Sequence, residues 1–313
     1  MKHLSGWGVM FPGQGSQFVG MGQALVASSN VMRRTFEEAD DAIGYNLGTV
    51  ILEGPEERLR DTEVQQPAIL TLSVAIWRTL KEYRPDFLPV LGFGLSLGEY
   101  SAYVASGVLT LADGVRLTRI RGRAMQEAVP KGEGGMVAIL GLKSDQVETL
   151  CREASQVALV ETANYNAPGQ TVVSGLNPGL DIVEIKAREL GARTVRLAVS
   201  APFHCRLLKP AGDVLAAALS EVHLEEAAFP VLANVDTAPC VAAEDIVPRL
   251  IRQVSRPVLF EHTVERALSY DLDGLVELGP GRSLSSLVKK INRHQRVVNI
   301  EDPDGLARAL ELV

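Results

Sequence analysis

The stretch Gly94-Leu95-Ser96-Leu97-Gly98 constrains this chain more than any other, because a G-x-S-x-G run between an apolar strand and a helix dictates a sharp strand-to-helix turn. Upstream, Pro89-Val90-Leu91-Gly92-Phe93 has the character of a short buried strand. Downstream, Leu97 to Ala105 has the small and apolar spacing of a helix running to Gly107. A serine in such a turn occupies a strained backbone conformation, and the residues two positions away must be glycine to avoid clashing with each other. Gly94 and Gly98 meet that need. The same turn places Ser96 at a helix N-terminus, where the N–H of Leu97 and the helix dipole stabilise negative charge on a substrate oxygen. Ser96 is the candidate nucleophile.

In chain order, Trp7-Gly8-Val9-Met10-Phe11 predicts a first strand that runs directly into Pro12-Gly13-Gln14-Gly15-Ser16-Gln17. A loop after the first strand of an α/β sheet lies at the carboxyl edge where sites form, with Gln14 as the natural donor; a plain Gly-rich turn is the other reading. Helices are predicted over Met21 to Ser28, Val31 to Ile43 and Pro67 to Tyr83, the last with its proline in the first turn. Alternation of strands with helices of this length implies a parallel sheet. A further helix, Leu111 to Val129, carries Arg116, Arg119, Arg121 and Arg123. Three of these read as solvated surface charges. Arg121 is open to a second reading, since Gly122 beside it lets another backbone or a ligand come close.

A composition break at Pro130-Lys131-Gly132-Glu133-Gly134-Gly135 reads as a linker into a smaller unit. There, strands at Met136–Leu140, Val157–Thr162, Thr171–Ser174 and Thr194–Val199 alternate with helices at Ser144–Ala154 and Asn177–Leu190. The order β-α-β-β-α-β is the ferredoxin-like pattern. The expected fold is therefore a large parallel-sheet, α/β hydrolase-like domain (residues 1–129 and 200–313) with an inserted ferredoxin-like subdomain (130–199). Asn164-Tyr165-Asn166-Ala167-Pro168-Gly169 reads as a polar loop, either a hairpin connection or the border of a cleft between the units. After the return at Ser200-Ala201-Pro202-Phe203-His204-Cys205, His204 is the best placed of the five histidines to act as base, because an elbow serine needs a base later in the chain. Strands at Phe229–Ala233 and Gly274–Leu278 and helices at Glu244–Val254, Glu261–Leu268, Ser283–Asn292 and Asp304–Leu312 complete the large domain.

Composition removes other classes of function. The 313 residues, 46% hydrophobic, suffice to bury a large core, and a net charge of −7 argues against nucleic acid as the main partner. Neither an apolar run of membrane-spanning length nor a secretory apolar region after Met1-Lys2-His3-Leu4-Ser5 is seen, so a cytoplasmic location is expected. Cys151, Cys205 and Cys240 form no C-x-x-C pair, and the histidines show no ligand spacing. Neither disulfides nor a metal are expected.

Taken together, Phe11-Pro-Gly-Gln-Gly-Ser-Gln17, Gly94-Leu-Ser-Leu-Gly-Glu-Tyr100, Arg121-Gly122, Asn164-Tyr-Asn-Ala-Pro-Gly169, Phe203-His204, Gln253 and Gly279-Pro-Gly281 resemble the malonyl-CoA:acyl carrier protein transacylase family over nearly the whole chain. The resemblance implies Ser96 as nucleophile, His204 as base, Arg121 as the residue that binds the substrate carboxylate, and Gln14 and Leu97 as the oxyanion hole. It implies that the main-chain carbonyl of Gln253 orients the histidine in place of a triad aspartate. It also places Asn166 and Phe203 at the substrate, Phe203 as a bulky residue that disfavours branched acyl units. Lys289 and Lys290 match the family's basic docking positions for an acyl carrier protein. The implied activity is malonyl transfer from malonyl-CoA to the carrier's phosphopantetheine thiol, by a monomer that needs no resident cofactor. One departure is Leu95, where family members often carry histidine. An acyl-carrier-protein acyl hydrolase of the same fold is the competing reading, and a non-catalytic docking module a third.

Overall fold

The apolar runs Trp7–Phe11 and Gly274–Leu278 are buried along their whole length in a computed structural model of the chain, as strands covered by helices on both faces must be. The structure describes residues 6–199 and 201–313; the Met1–Ser5 start, with its expected lack of a secretory segment and with His3, and Ser200 lie outside the described residues. Among the described residues the strands are, in order, β1 (Trp7–Phe11), β2 (Leu91–Gly94), β3 (Gly134–Leu140), β4 (Val160–Ala167), β5 (Gln170–Leu176), β6 (Arg193–Arg196), β7 (Val231–Leu232), β8 (Pro239–Cys240), β9 (Gly274–Leu278) and β10 (Val297–Ile300).

The larger sheet has the order β10-β9-β1-β2-β7-β8 and is parallel apart from the antiparallel edge pair β7 and β8. Phe11 pairs with Gly94 at the carboxyl ends of β1 and β2, so the loop after Phe11 and the turn after Gly94 leave the same edge side by side. The smaller sheet is antiparallel with the order β4-β5-β3-β6, the ferredoxin-like arrangement expected from the βαββαβ pattern. Strand β4 also reaches the rest of the chain, where Tyr165 N–H donates to Val258 O (2.9 Å) and Val258 N–H donates to Ala163 O (2.8 Å).

Three local expectations are corrected, and further short elements appear. The segment read as the loop Asn164–Gly169 is the end of β4 followed by a tight turn at Pro168-Gly169, and β4 begins at Val160 rather than Val157, which is exposed. Pairing with β5 outweighs the turn-rich composition there. The helix expected from Pro67 starts at Thr62, and Pro67 lies inside it. This helix, Thr62–Tyr83, is buried on nearly all sides, so packing holds it through the proline's lost hydrogen bond. The stretch between Ile43 and Thr62 holds two short helices, Leu47–Glu53 and Glu56–Arg60, each too brief to show a clear period. Strands β8 and β10, short and at the sheet edges, carry no clear sequence signal.

Candidate active site

The turn after β2 has the strain anticipated for it. Ser96 sits at φ 55°, ψ −103° and forms the N-cap of the helix Leu97–Ala105. A Cβ on Gly94 would lie 2.1 Å from the Gly98 carbonyl carbon, and one on Gly98 only 2.0 Å from Phe11 O. Gly94 is thus needed for the turn itself, and Gly98 for its approach to β1. Such a conformation costs on the order of 1–3 kcal/mol and persists only where the surroundings hold it.

Those surroundings are a buried polar network. Asn234, after β7, accepts from Ser96 N–H through Oδ1 (2.7 Å) and donates to Gly94 O through Nδ2 (2.7 Å), pinning the turn on both sides of Ser96. Ser96 Oγ lies 2.7 Å from His204 Nε2, and His204 Nδ1 lies 2.8 Å from the main-chain oxygen of Gln253. With Nδ1 donating to a carbonyl, Nε2 is left as the acceptor for the serine hydroxyl. His204 itself has φ 61°, the second strained residue of the site. Burial first, and then the positive charge of Arg121, push its pKa down to about 3. The imidazole is therefore neutral at neutral pH.

Arg121 is fully buried in the helix Leu111–Glu127. Its Nη2 donates to Ser96 Oγ (2.9 Å) and Gln253 Oε1 (2.8 Å), and its Nη1 donates to Gln66 Oε1 (2.7 Å). Its Nε has no partner, and among the described residues no carboxylate lies within ion-pair distance of it. Gly122 beside it admits the backbone of Thr62, not a ligand: a Cβ there would fall 2.4 Å from Thr62 O. Arg116 and Arg119 reach the carbonyls of Ala42 and Ile43, while Arg123 pairs with Glu127 at the surface.

A cleft of about 480 Å³ opens over Ser96 and His204. Gln14, Asn166, Phe203, Leu95 and Lys290 line it, whereas Arg121 stands behind Ser96. Gln14 is held by Gln65 Oε1, to which its Nε2 donates at 2.6 Å. As the first residue of its helix, Leu97 has an N–H without an intrahelical acceptor. Asn166 falls at a register shift of β4, and its Oδ1 has no hydrogen-bond partner. Lys289 is turned away from the cleft, donating to Gln295 O at 2.8 Å, while Lys290 donates to Gln170 Oε1 at 2.6 Å.

The chain matches the model of the acyl transferase domain over residues 9–300. It is 40% identical to the malonyl CoA-acyl carrier protein transacylase of Bacillus subtilis (strain 168), over 96% of this chain and 95% of that protein. The Escherichia coli (strain K12) protein of the same name is also 40% identical, over 97% and 98%. The chain belongs to the malonyl-CoA:acyl carrier protein transacylase family. The transacylase fold extends over the whole molecule. The Coxiella burnetii transacylase superposes with a TM-score of 0.96 at 36% identity, covering 98% of this chain and 97% of that one. A malonyl-transacylase solved in complex with a type II PKS acyl-carrier protein superposes with a TM-score of 0.95 at 41% identity, covering 97% and 99%.

Sequence reasoning missed Glu99, Asn234, Gln65 and Gln66. Glu99 carried a signal, being a carboxylate inside an otherwise apolar and small-residue helix, which calls for buried partners. Asn234 and the glutamines carried none, since polar residues after a strand or early in a helix are ordinary.

Proposed function

We propose that this acyltransferase moves a malonyl group from malonyl-CoA to the phosphopantetheine thiol of an acyl carrier protein, through an ester on Ser96. The observation that carries the reading is the double contact of one hydroxyl: Ser96 Oγ is 2.7 Å from a neutral imidazole and 2.9 Å from a buried arginine that has no carboxylate within ion-pair distance among the described residues. The first contact makes an alkoxide available. The second places a planar, bidentate cation beside an acyl group whose far end is a carboxylate.

In the forward half-reaction His204 Nε2 takes the Ser96 proton as Oγ bonds to the thioester carbon, and the N–H groups of Gln14 and Leu97 hold the oxyanion. The C–S bond then breaks and the coenzyme A thiolate takes the proton from His204. In the second half, His204 deprotonates the carrier thiol, the thiolate attacks the ester carbon, and as the C–Oγ bond breaks Ser96 takes the proton back from His204. An imidazole held so far below its ordinary pKa is a weak base. A malonyl carboxylate on Arg121 offsets one of the two causes of that depression, so the right substrate raises the basicity of His204 on arrival.

A hydrolase of varied acyl chains gains nothing from a buried cation at its nucleophile, which is costly when unpaired. Mass spectrometry after mixing with malonyl-CoA separates the two readings. A malonyl adduct on Ser96 that is stable to water and discharged by a thiol acceptor, holo carrier protein or returning coenzyme A, is the expected result, and rapid release of malonate without carrier would support hydrolysis.

The partner is an acyl carrier protein of fatty-acid or polyketide assembly, met by a monomer in the cytoplasm with no resident cofactor. No described helix is long and apolar enough to cross a membrane. At −7 overall, the enzyme meets an acidic carrier through a local basic patch. Lys290 at the cleft mouth carries the larger share of docking, and Lys289, tied to Gln295 O, the smaller. Lys290→Glu is expected to raise KM for the carrier ~3–10-fold, with malonyl-CoA acylation unchanged. Loss of both half-reactions together would assign the patch to coenzyme A or to the fold.

A further inference from the structure

Glu99 is fully buried beneath the site and touches neither the cleft nor the nucleophile's hydroxyl. Its Oε2 accepts from Gln253 Nε2 (2.6 Å) and Asn234 N–H (3.1 Å), and its Oε1 accepts from Tyr103 OH (3.3 Å). The other end of the same Gln253 amide, Oε1, accepts from Arg121 Nη2 at 2.8 Å. One amide thus joins a buried carboxylate to the buried guanidinium, while the main-chain oxygen of that residue holds His204. Gln253 therefore does more than its carbonyl alone implies, since its side chain couples a buried carboxylate to the guanidinium behind Ser96.

We infer that Glu99 is a positioning residue that acts as the internal counter-charge of Arg121 through the side-chain amide of Gln253, limiting ground-state binding of malonyl-CoA and supporting proton transfer to His204. The inference rests on the proposed role of Arg121 as the group that receives the substrate carboxylate. With Glu99 ionised, the free site holds one positive and one negative charge. Malonyl binding leaves it with one net negative charge, which favours the imidazolium that forms as Ser96 attacks. Without Glu99's charge, the free site is positive. It then binds malonyl more tightly, and the malonyl-bound site is neutral instead of negative, so the imidazolium on His204 is favoured less. The other charged and titratable groups around Glu99 are Tyr100 and Tyr103 on its own helix, Arg121 on the neighbouring helix, and Cys240 of β8. Burial pushes the Glu99 carboxyl up to about 7, with the hydrogen bonds from Gln253, Asn234 and Tyr103 and the charge of Arg121 opposing the rise, so the test belongs at pH 8.5.

Glu99→Gln is the decisive variant, because a glutamine can accept from Gln253 and Asn234 through its oxygen and donate to Tyr103 through its nitrogen. Charge is removed and every hydrogen bond is kept. In a Ser96→Ala background, calorimetric titration should show malonyl-CoA bound about five- to twentyfold more tightly after Glu99→Gln, and acetyl-CoA unchanged. With Ser96 present, single-turnover acylation by malonyl-CoA should slow by a similar factor. Glu99→Met, neutral and of similar volume, should shift binding in the same direction. Tyr103→Phe, which removes one hydrogen bond to Glu99 but leaves the carboxylate in place, should shift both quantities far less than Glu99→Gln. Weaker or unchanged malonyl-CoA binding in Glu99→Gln, or an unchanged acylation rate, would overturn the assignment. If the Ser96→Ala protein does not distinguish malonyl-CoA from acetyl-CoA at all, the role of Arg121 fails instead, which separates the two outcomes.

Discussion

Ser96→Ala is expected to abolish the covalent malonyl adduct and to lower transfer to the carrier protein by ~10⁴-fold or more, with the fold intact by circular dichroism. Alanine keeps the backbone of the turn, and the clamp on Ser96 N–H and Gly94 O comes from Asn234, which the mutation leaves untouched. The lost hydroxyl strands little, because Arg121 retains Gln66 and Gln253. The size of the effect follows from the role: without an oxygen to acylate there is no first half-reaction, and only direct thiol attack on bound malonyl-CoA remains. His204→Ala should slow both half-reactions by ~10²–10⁴-fold, the usual worth of a positioned base. Labelling of the Ser96→Ala protein at wild-type extent would remove Ser96 from the mechanism. An unaffected second half-reaction in His204→Ala would assign the carrier thiol to another base.

Arg121→Ala should cut kcat/KM for malonyl-CoA by ~10²–10³-fold or more while acetyl transfer holds or rises. Malonyl-CoA and acetyl-CoA differ at the reacting end by a single carboxylate. Removing one partner of a buried charged pair costs about 3–5 kcal/mol, and that loss falls on the malonyl complex alone. The same substitution removes one of the two causes that depress His204, so the base available to an acetyl thioester becomes stronger. Parallel rate measurements with both thioesters check this. Equal losses would mean that Arg121 merely supports the fold, where its three side-chain partners give it a structural role as well.

Leu95 lines the cleft and packs against the cluster that contains Phe93 and Leu284. It makes that wall apolar and leaves the Ser96, His204 and Arg121 contacts unchanged.

The parts of this protein that its sequence determines are those set by short-range sterics and periodicity. The elbow is one, since five contiguous residues with glycine at both ends admit only the strand-turn-helix that the structure contains. The βαββαβ order is another, because strand and helix periods alternate over short connections, and there it is strand bounds that are misread: both ends of β4, and β6, which is Arg193–Arg196 instead of Thr194–Val199. Tertiary structure alone decides the company that Ser96 keeps. His204 is 108 positions away, Asn234 138 and the Gln253 side chain 157, and nothing in local composition relates them. Their meeting depends on strands β2 and β7 lying side by side and on the burial of everything beneath the turn. Once Glu99 and Arg121 are both removed from water, each must find hydrogen-bonding partners within reach. The amide of Gln253 is the group that serves both, a fact that only the packed molecule makes visible.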